Sequence, residues 1–185
     1  SGELLWDHQA DTGIVAGPVT YTVDGEQYVA VMSGWGSLVQ LAGGVFMDPE
    51  AGPIEGRVLV YKLGGEAQLS IPKRERVLRK PPPSVASAEE IALGKTRYYQ
   101  QCMGCHGLSV ISGGGTPDLR YSALLENDGW YQVVLDGILE ENGMISFRDR
   151  LSKAEVSAIR SFVIDKANAD WDAAIAAKAG ATATD

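Results

Sequence analysis

The stretch that decides the fold is Cys102-Met103-Gly104-Cys105-His106, in which an imidazole directly follows the second of two thiols. The chain of 185 residues has no other cysteine, and its one other histidine is His8. Because cysteine and histidine are so scarce in this chain, their placement carries much of the information about its chemistry.

The spacing Cys-x-x-Cys-His is the attachment signature of c-type haem. Thiols at positions i and i+3 can reach the two vinyl groups on one edge of a porphyrin and form thioethers, and the adjacent histidine is then held under the iron. We therefore predict that Cys102 and Cys105 bind a haem covalently and that His106 is its proximal ligand.

Three other interpretations of the motif stay open. A redox dithiol usually lies between a strand and a helix, whereas here a predicted helix precedes the cysteines and a Gly-rich loop follows them. A zinc site would need His8 as its fourth ligand, and the adjacent Cys105 and His106 rarely face one tetrahedral ion. A structural disulfide between Cys102 and Cys105 is the simplest alternative.

A haem c iron usually takes a sixth ligand, and the positions of the methionines make Met144 the candidate. Met32 and Met47 precede the Pro-rich linker, and Met103 lies inside the motif, whereas Met144 lies downstream of it. A thioether opposite histidine raises the reduction potential and suits electron transfer. The alternative is a methionine that only fills the core.

The loop after the motif offers a partner for the histidine. It contains Gly113-Gly114-Gly115-Thr116-Pro117-Asp118-Leu119. The Pro117 carbonyl would accept the Nδ1–H of His106 and fix the orientation of the ring. An ordinary loop proline is the other interpretation, because Gly and Pro are common in turns.

Helical signals surround the motif. Ser87-Ala88-Glu89-Glu90 and Ser152-Lys153-Ala154-Glu155 are capping boxes, and each predicts the start of a helix. A shorter helix over 129–135 would begin at Asp128 and end at Gly137, where glycine favours a helix terminus.

The first part of the chain is predicted to form strands. Segments 20–23 and 27–32 flank Asp24-Gly25, a dipeptide typical of hairpin turns, and 57–63 predicts a third strand. A short fourth strand is predicted over 67–69. The long Gly-rich connection before the third strand is expected to be functional or to pack on something. One small sheet buries too little surface to be stable alone, and four strands make one propeller blade, so we expect this part to belong to something larger.

These signals divide the chain into four parts. We predict a β segment over 1–72, a basic and Pro-rich linker over 73–86, a helical domain over 87–170 and an Ala-rich tail over 171–185. Within the linker, Pro81-Pro82-Pro83 cannot form a helix and favours an extended, semi-rigid spacer.

Charge and hydropathy exclude some classes of function. The net charge of −8 disfavours nucleic-acid binding, which needs a basic face. It weakly favours a partner with a neutral or basic docking patch. No transmembrane segment is predicted, because the apolar stretches are far shorter than the ~20 residues that a membrane helix needs.

The second part of the chain resembles a class I cytochrome c domain. The resemblance rests on the Cys-x-x-Cys-His motif, on Pro117-Asp118-Leu119, on Asn142-Gly143-Met144 and on a final helix predicted over 151–164. It implies a mainly α domain that carries haem c with His106 and Met144 as axial ligands.

The first part is similar to the end of the propeller in quinohaemoprotein alcohol dehydrogenases. The similar segments run from Trp6-Asp7-His8-Gln9 through Ser33-Gly34-Trp35-Gly36 to Gly56-Arg57-Val58-Leu59-Val60-Tyr61. The order of propeller end, proline linker and cytochrome c matches this family across nearly the whole chain. The resemblance implies a small antiparallel β segment that resembles the last blade of a β-propeller, followed by the cytochrome.

This resemblance also implies a function. Members of the family are periplasmic and oxidise alcohols with pyrroloquinoline quinone and calcium, and their haem passes single electrons to an acceptor such as a small copper protein or a cytochrome. The chain would relay those electrons. Trp35 would lie near the quinone, although a turn that closes a blade is an equal alternative.

The same resemblance limits what the chain is expected to do alone. The catalytic aspartate, the calcium ligands and most of the quinone pocket belong to earlier blades in the family, so pyrroloquinoline quinone and calcium are not expected to bind this chain by itself. The alternatives are a free-standing small cytochrome c carrier, a chain that completes a dehydrogenase with a separate propeller body, and an interaction module without redox function.

Overall fold

The computed structural model of the chain describes residues 2–10, 12–36, 41, 44, 56–69 and 79–181. In these residues a three-stranded antiparallel sheet precedes a helical part. This arrangement confirms the predicted fold class.

The sheet has the order β1 (Val19–Val23), β2 (Glu26–Ser33) and β3 (Arg57–Lys62). Asp24 and Gly25 join β1 to β2 with φ angles of 53° and 80°, which a tight hairpin turn requires. The first three predicted strands are therefore confirmed, with ends that differ by a residue.

The predicted fourth strand is wrong, because residues 67–69 form neither helix nor strand. The chain does turn after β3, where the N–H of Gly65 donates to the carbonyl of Lys62 at 3.0 Å. Three residues can form only a few hydrogen bonds with a neighbouring strand. These are too few to replace the hydrogen bonds that water makes with the backbone of the segment.

One face of the sheet is apolar and exposed. The strand register places six large apolar side chains on it, each 40–66% exposed: Val19, Tyr21, Val23, Met32, Val58 and Val60. A contiguous apolar surface of this kind usually marks an interface. The sheet is thus suited to packing against a further layer of structure.

The long connection between β2 and β3 touches the helical part at Gly44. A Cβ atom there would lie 2.4 Å from the carbonyl oxygens of Ile111 and Ser112. The expectation that this connection packs on something is confirmed at this one residue. Most of its other residues lie outside those that the structure describes.

The helical part contains α1 (Ala88–Gln101), α2 (Met103–His106), α3 (Gly129–Val134) and α4 (Lys153–Ala181). Three 3₁₀ turns lie between α2 and α3, at Leu108–Val110, Leu119–Tyr121 and Ala123–Glu126, and one lies between α3 and α4, at Glu140–Asn142. Among the described residues, no helix combines the length and the apolar character needed to cross a membrane.

Both predicted capping boxes begin a helix. The Ser87 Oγ accepts the N–H of Glu90 at 3.2 Å at the start of α1. At the start of α4, the Ser152 Oγ accepts the N–H of Glu155 at 3.3 Å, and the Glu155 carboxylate accepts the N–H of Ser152 at 2.8 Å. Each cap satisfies backbone donors that have no partner inside the helix.

The start of α3 differs from its prediction. Asp128 precedes the helix, but its side chain makes no capping hydrogen bond. Instead, the Asn127 Oδ1 accepts the N–H of Gly129 at 2.8 Å. An Asx turn one residue earlier thus takes over the role that the sequence pattern assigned to Asp128.

The core of the helical part lies where α1 crosses α4. A Cβ atom on Gly94 would lie 1.9 Å from the Ala158 carbonyl oxygen, so only glycine permits this crossing. Apolar residues around the crossing are almost fully buried, among them Tyr98, Leu125, Trp130, Val156, Ile159, Phe162 and Val163. Because α2 follows directly on α1, this crossing positions the Cys-x-x-Cys-His motif.

The described part of the predicted linker, 79–86, packs on α4. Pro81 is buried, and the Asn168 side chain donates to the Pro82 carbonyl at 2.8 Å. The prolines lie outside helices and strands, as expected, but they are held on the helical part rather than spanning solvent. Residues 73–78 lie outside those that the structure describes.

Candidate haem-binding site

The motif occupies the junction of α1 and α2. The N–H of Cys102 donates to the Tyr98 carbonyl at 2.8 Å, and the single turn of α2 ends at Gly107, whose φ is 90°. Cys102 is buried and Cys105 is exposed. One turn of chain thus places a buried thiol, an exposed thiol and the imidazole of His106 side by side.

The ring of His106 is buried, and its orientation is fixed by the loop that follows. Its Nδ1 lies 3.1 Å from the Pro117 carbonyl oxygen. Because a carbonyl oxygen can only accept, Nδ1 carries the proton. Burial lowers the pKa of His106, although the bond to Pro117 opposes that shift. The ring is therefore neutral near pH 7, and its Nε2 keeps the lone pair that a metal needs.

Further hydrogen bonds hold this loop against the motif. The Tyr98 hydroxyl donates to the Gly107 carbonyl at 2.7 Å inside the core. The Thr116 hydroxyl donates to the Cys105 carbonyl at 2.5 Å, and the Ser112 hydroxyl donates to the Thr116 carbonyl at 2.6 Å. These hydroxyls could not be predicted from the sequence, since single hydroxyl residues in a loop form no recognisable pattern.

A partly buried ionic network lies behind Pro117. The carboxylate of Asp118 accepts two bonds from the Arg120 guanidinium, at 2.9 and 2.6 Å. Arg120 also donates to Asp170 on α4 at 2.7 Å, and Lys166 donates to the same carboxylate at 2.5 Å. Burial alone would lower the pKa of Arg120, but its bonds to Asp118 and Asp170 raise it. The guanidinium therefore stays charged although only 8% of the residue is exposed.

Met144 is half-buried against the same core as the motif. A 3₁₀ turn over Glu140–Asn142 ends at Gly143 with φ 92°, and the N–H of Met144 then donates to the Leu139 carbonyl at 3.2 Å. The Met144 side chain packs on the cluster of buried residues that also includes Cys102. The loop thus brings a thioether to the part of the core that contains the motif.

The alternative uses of the motif fit the structure less well. Both cysteines are free thiols, and burial, with a smaller effect of Cys105, raises the pKa of Cys102 to about 12. A redox dithiol needs a thiol that ionises easily. His8 packs with Trp6 and Tyr61, with ring centroids 6.1 and 5.4 Å away. In the part of the chain that is described, no group of three or more His, Cys, Asp or Glu side chains could hold a metal ion.

The donor set as a whole fits a haem c. Cys102 and Cys105 are reduced and can form thioethers, His106 presents an unprotonated Nε2, and Met144 adds a neutral sulfur. Histidine with methionine is a usual pair of ligands for a haem in electron transfer.

Trp35 belongs to the sheet part of the chain. Its ring covers Gly13, where a Cβ atom would lie 2.5 Å from the ring, and the N–H of Gly34 donates to the Gly13 carbonyl at 2.7 Å. Trp35 remains 42% exposed. The close packing of the Trp35 ring explains why residue 13 is a glycine. The expected position of Trp35 near a quinone stays a prediction.

Comparison with protein families identifies the helical part. The family model described as cytochrome c oxidase, cbb3-type, subunit III matches residues 89–163. The helical part is a cytochrome c domain, a kind of domain that carries haem c.

Comparison with curated proteins extends the similarity to the sheet. The chain is 42% identical over 172 residues to the quinohaemoprotein alcohol dehydrogenase ADH IIB of Pseudomonas putida, which covers 92% of this chain and 25% of that protein. It is 36% identical over 186 residues to the dehydrogenase subunit of alcohol dehydrogenase (quinone) from Gluconobacter oxydans, covering 98% of this chain and 24% of that subunit. The chain therefore spans about a quarter of the length of these relatives.

Two solved structures show the same arrangement. The quinohaemoprotein alcohol dehydrogenase ADHIIG of Pseudomonas putida HK5 matches with a TM-score of 0.77 and 38% identity over 90% of this chain and 24% of its own. The enzyme of Comamonas testosteroni matches with a TM-score of 0.62 and 31% identity over 86% of this chain and 22% of its own. The chain is thus homologous, over nearly its whole length, to the C-terminal cytochrome part of the quinohaemoprotein alcohol dehydrogenases.

Proposed function

We propose that this chain relays single electrons from the reduced quinone of an alcohol dehydrogenase, through a covalently bound haem c, to an external acceptor. The observation that carries the proposal is the buried His106, whose Nδ1 is tied to Pro117 while two free thiols lie beside it. When bound, the haem supplies an iron that cycles between ferric and ferrous states and carries one electron per cycle.

Each residue of the site has its own role in the proposed electron relay. Cys102 and Cys105 hold the haem as thioethers, so the carrier does not dissociate between electron transfers. His106 and Met144 would supply a nitrogen and a sulfur ligand to the iron. Because Cys105 is exposed, the attachment point reaches the surface, where a donor or an acceptor can approach.

The sheet supports the dehydrogenase context. Its apolar face, made of Val19, Tyr21, Val23, Met32, Val58 and Val60, is uncovered in the structure. The relatives that include this segment are about four times as long as the chain. We propose that the face packs against the rest of a quinone-binding propeller, which would hold pyrroloquinoline quinone, calcium and the alcohol. Trp35 would lie on the quinone side of this segment.

The acceptor and the location follow from the same resemblance. We propose a periplasmic location and an acceptor such as a small copper protein or another cytochrome. The net charge of −8 favours an acceptor with a neutral or basic docking patch.

The ligation is tested by replacing Met144. We expect the mass of the purified chain to be raised by one haem and its ferric spectrum to contain a methionine-to-iron charge-transfer band. Met144→Ala should remove the band and lower the reduction potential by on the order of 0.1 V or more, within the roughly 0.8 V range that axial ligands control.

The matched control is Met32→Ala, because Met32 is 63% exposed on the sheet and should affect neither the band nor the potential. An unchanged ferric spectrum in Met144→Ala would show that Met144 is not a ligand. A colourless chain of unmodified mass, even after co-expression with haem-attachment machinery, would overturn the electron relay.

The dehydrogenase context predicts the activity of the chain by itself. With pyrroloquinoline quinone and calcium added, the haem-loaded chain should show no alcohol-dependent reduction of a dye, because the proposed quinone pocket lies in the other part of the propeller. Mixing with a propeller body from a homologous dehydrogenase is the positive control. Dye reduction by the chain alone would contradict the assignment of the pocket.

A further inference from the structure

The ionic network behind Pro117 has no place in the function proposed so far. It joins α4 to the loop that orients the histidine, through Asp170, Arg120 and Asp118. We infer that Arg120 and Asp170 are positioning residues for the axial ligand: they anchor Asp118 to α4 and so hold the Pro117 carbonyl on the Nδ1–H of His106. This inference rests on the proposed role of His106 as an iron ligand.

One peptide group links Pro117 to Asp118. It is a planar unit, so its carbonyl oxygen cannot turn unless the Asp118 backbone turns with it. The Asp118 Oδ1 accepts the backbone N–H of Arg120 at 3.2 Å as well as the Arg120 Nε–H. Fixing the Asp118 side chain therefore fixes the oxygen that His106 uses.

Arg120 has a shape that can bridge two carboxylates. Arg120 presents three of its N–H groups to two carboxylates, two of them in a fork to Asp118 and one to Asp170. A planar, always charged guanidinium can satisfy both partners at once, whereas a lysine ammonium is a point charge without this geometry. The contact between Arg120 and Asp170 joins residues 50 positions apart.

Helix α4 serves as the anchor of this network. Asp170 lies on α4, which packs against α1, and the haem motif begins where α1 ends. The ring of His106 and the carbonyl that orients it are thus both positioned relative to α4. While the network is intact, the Pro117 carbonyl is held relative to the same helix as the His106 ring.

The energetics of buried ions favour a positioning role over a stabilising one. Removing two carboxylates and a guanidinium from water costs about as much as their attraction returns, and apolar replacements are often neutral or stabilising. A network that contributes little net stability still fixes geometry, because the buried Arg120 guanidinium holds the oxygens of Asp118 and Asp170 at three separate N–H groups.

The consequence for the haem has a definite sign. A hydrogen bond from Nδ1–H raises the basicity of the ligating nitrogen, which favours ferric iron and lowers the reduction potential. Loosening the Pro117 contact should therefore raise the potential. In Arg120→Met, the loss of a positive charge near the site would by itself lower the potential, whereas a loosened Pro117 contact would raise it. Positioning and simple electrostatics therefore predict opposite signs for this variant.

The test uses the haem-loaded chain and Arg120→Lys, which keeps the charge and loses the fork. We expect the His106 ring N–H, followed by NMR in the ferrous state, to exchange with solvent at least about tenfold faster. We also expect the potential to rise. Arg97→Lys is the matched control, because Arg97 forms an ion pair with Glu155 at 2.7 Å that also joins α1 to α4. It should change neither quantity.

A second pair of variants provides the same test if Arg120→Lys folds poorly. Asp170→Asn keeps an oxygen that accepts the Arg120 N–H, and Asp170→Ala does not, although both remove the same charge. Positioning predicts fast exchange of the ring proton in Asp170→Ala and near wild-type exchange in Asp170→Asn. The inference would be overturned if Asp170→Asn and Asp170→Ala changed the exchange rate of the ring proton equally. It would also be overturned if Arg120→Lys and Asp170→Ala kept the wild-type exchange rate and potential. A wild-type chain without low-spin haem would instead overturn the proposed function.

Discussion

Gly94→Ala is expected to lower the free energy of unfolding of the haem-loaded chain by about 1–3 kcal/mol. The added Cβ would lie 1.9 Å from the carbonyl oxygen of Ala158 and 2.4 Å from its carbon, and both are backbone atoms of a packed helix. No side chain can rotate away, so α1 and α4 must separate. Alanine would otherwise gain about 1 kcal/mol over glycine in a helix, and the clash must exceed that gain. Urea denaturation followed by haem absorbance measures the difference.

The matched control is Gly180→Ala in the last turn of α4. No atom lies within 4 Å of a Cβ at Gly180, so the substitution should leave stability unchanged or raise it by up to about 1 kcal/mol. Two helical glycines should thus respond with opposite signs. If Gly94→Ala matched the wild type in urea, the two helices would not depend on glycine at their crossing, and the account of the core would be wrong.

Features that depend on neighbouring residues could be predicted from the sequence. The Asp24-Gly25 hairpin, the capping boxes at Ser87 and Ser152 and the order of the Cys-x-x-Cys-His motif are all local. Each is encoded within four or five residues, where side-chain chemistry and backbone geometry determine one another directly. The Pro117 contact could also be anticipated, because a metal-bound histidine normally has a partner for its other nitrogen.

Features that depend on distant residues could not be predicted in this way. The network of Arg120 and Asp170 joins a loop to a helix 50 positions later, and no local pattern relates them. The last helix, predicted over 151–164, extends to Ala181, and this end is instead encoded locally by the high helix propensity of its alanines, which the spacing of apolar residues does not register. The strand predicted at 67–69 does not form, because a strand needs the edge of a neighbouring strand, which its own residues do not specify.

His106→Ala is expected to have the largest effect on function. Removing the imidazole takes away the only histidine nitrogen in the helical part and leaves the Pro117 carbonyl without its donor. The haem spectrum should change from low-spin to high-spin. Electron transfer to an artificial acceptor should slow by more than about 100-fold, because even losing a partner of a metal ligand costs about 10–100-fold.

The control for this variant is the second histidine of the chain. His8 packs on Trp6 and Tyr61 in the sheet part, so His8→Ala should keep the spectrum and the transfer rate of the wild type. Added imidazole should restore part of the low-spin spectrum in His106→Ala, since the buried space left by the ring can admit a free ligand. A low-spin spectrum in His106→Ala without imidazole would mean that another side chain binds the iron. In that case the burial of His106 and its bond to Pro117 would serve the loop alone, and the proposed site would have to be rebuilt around a different ligand.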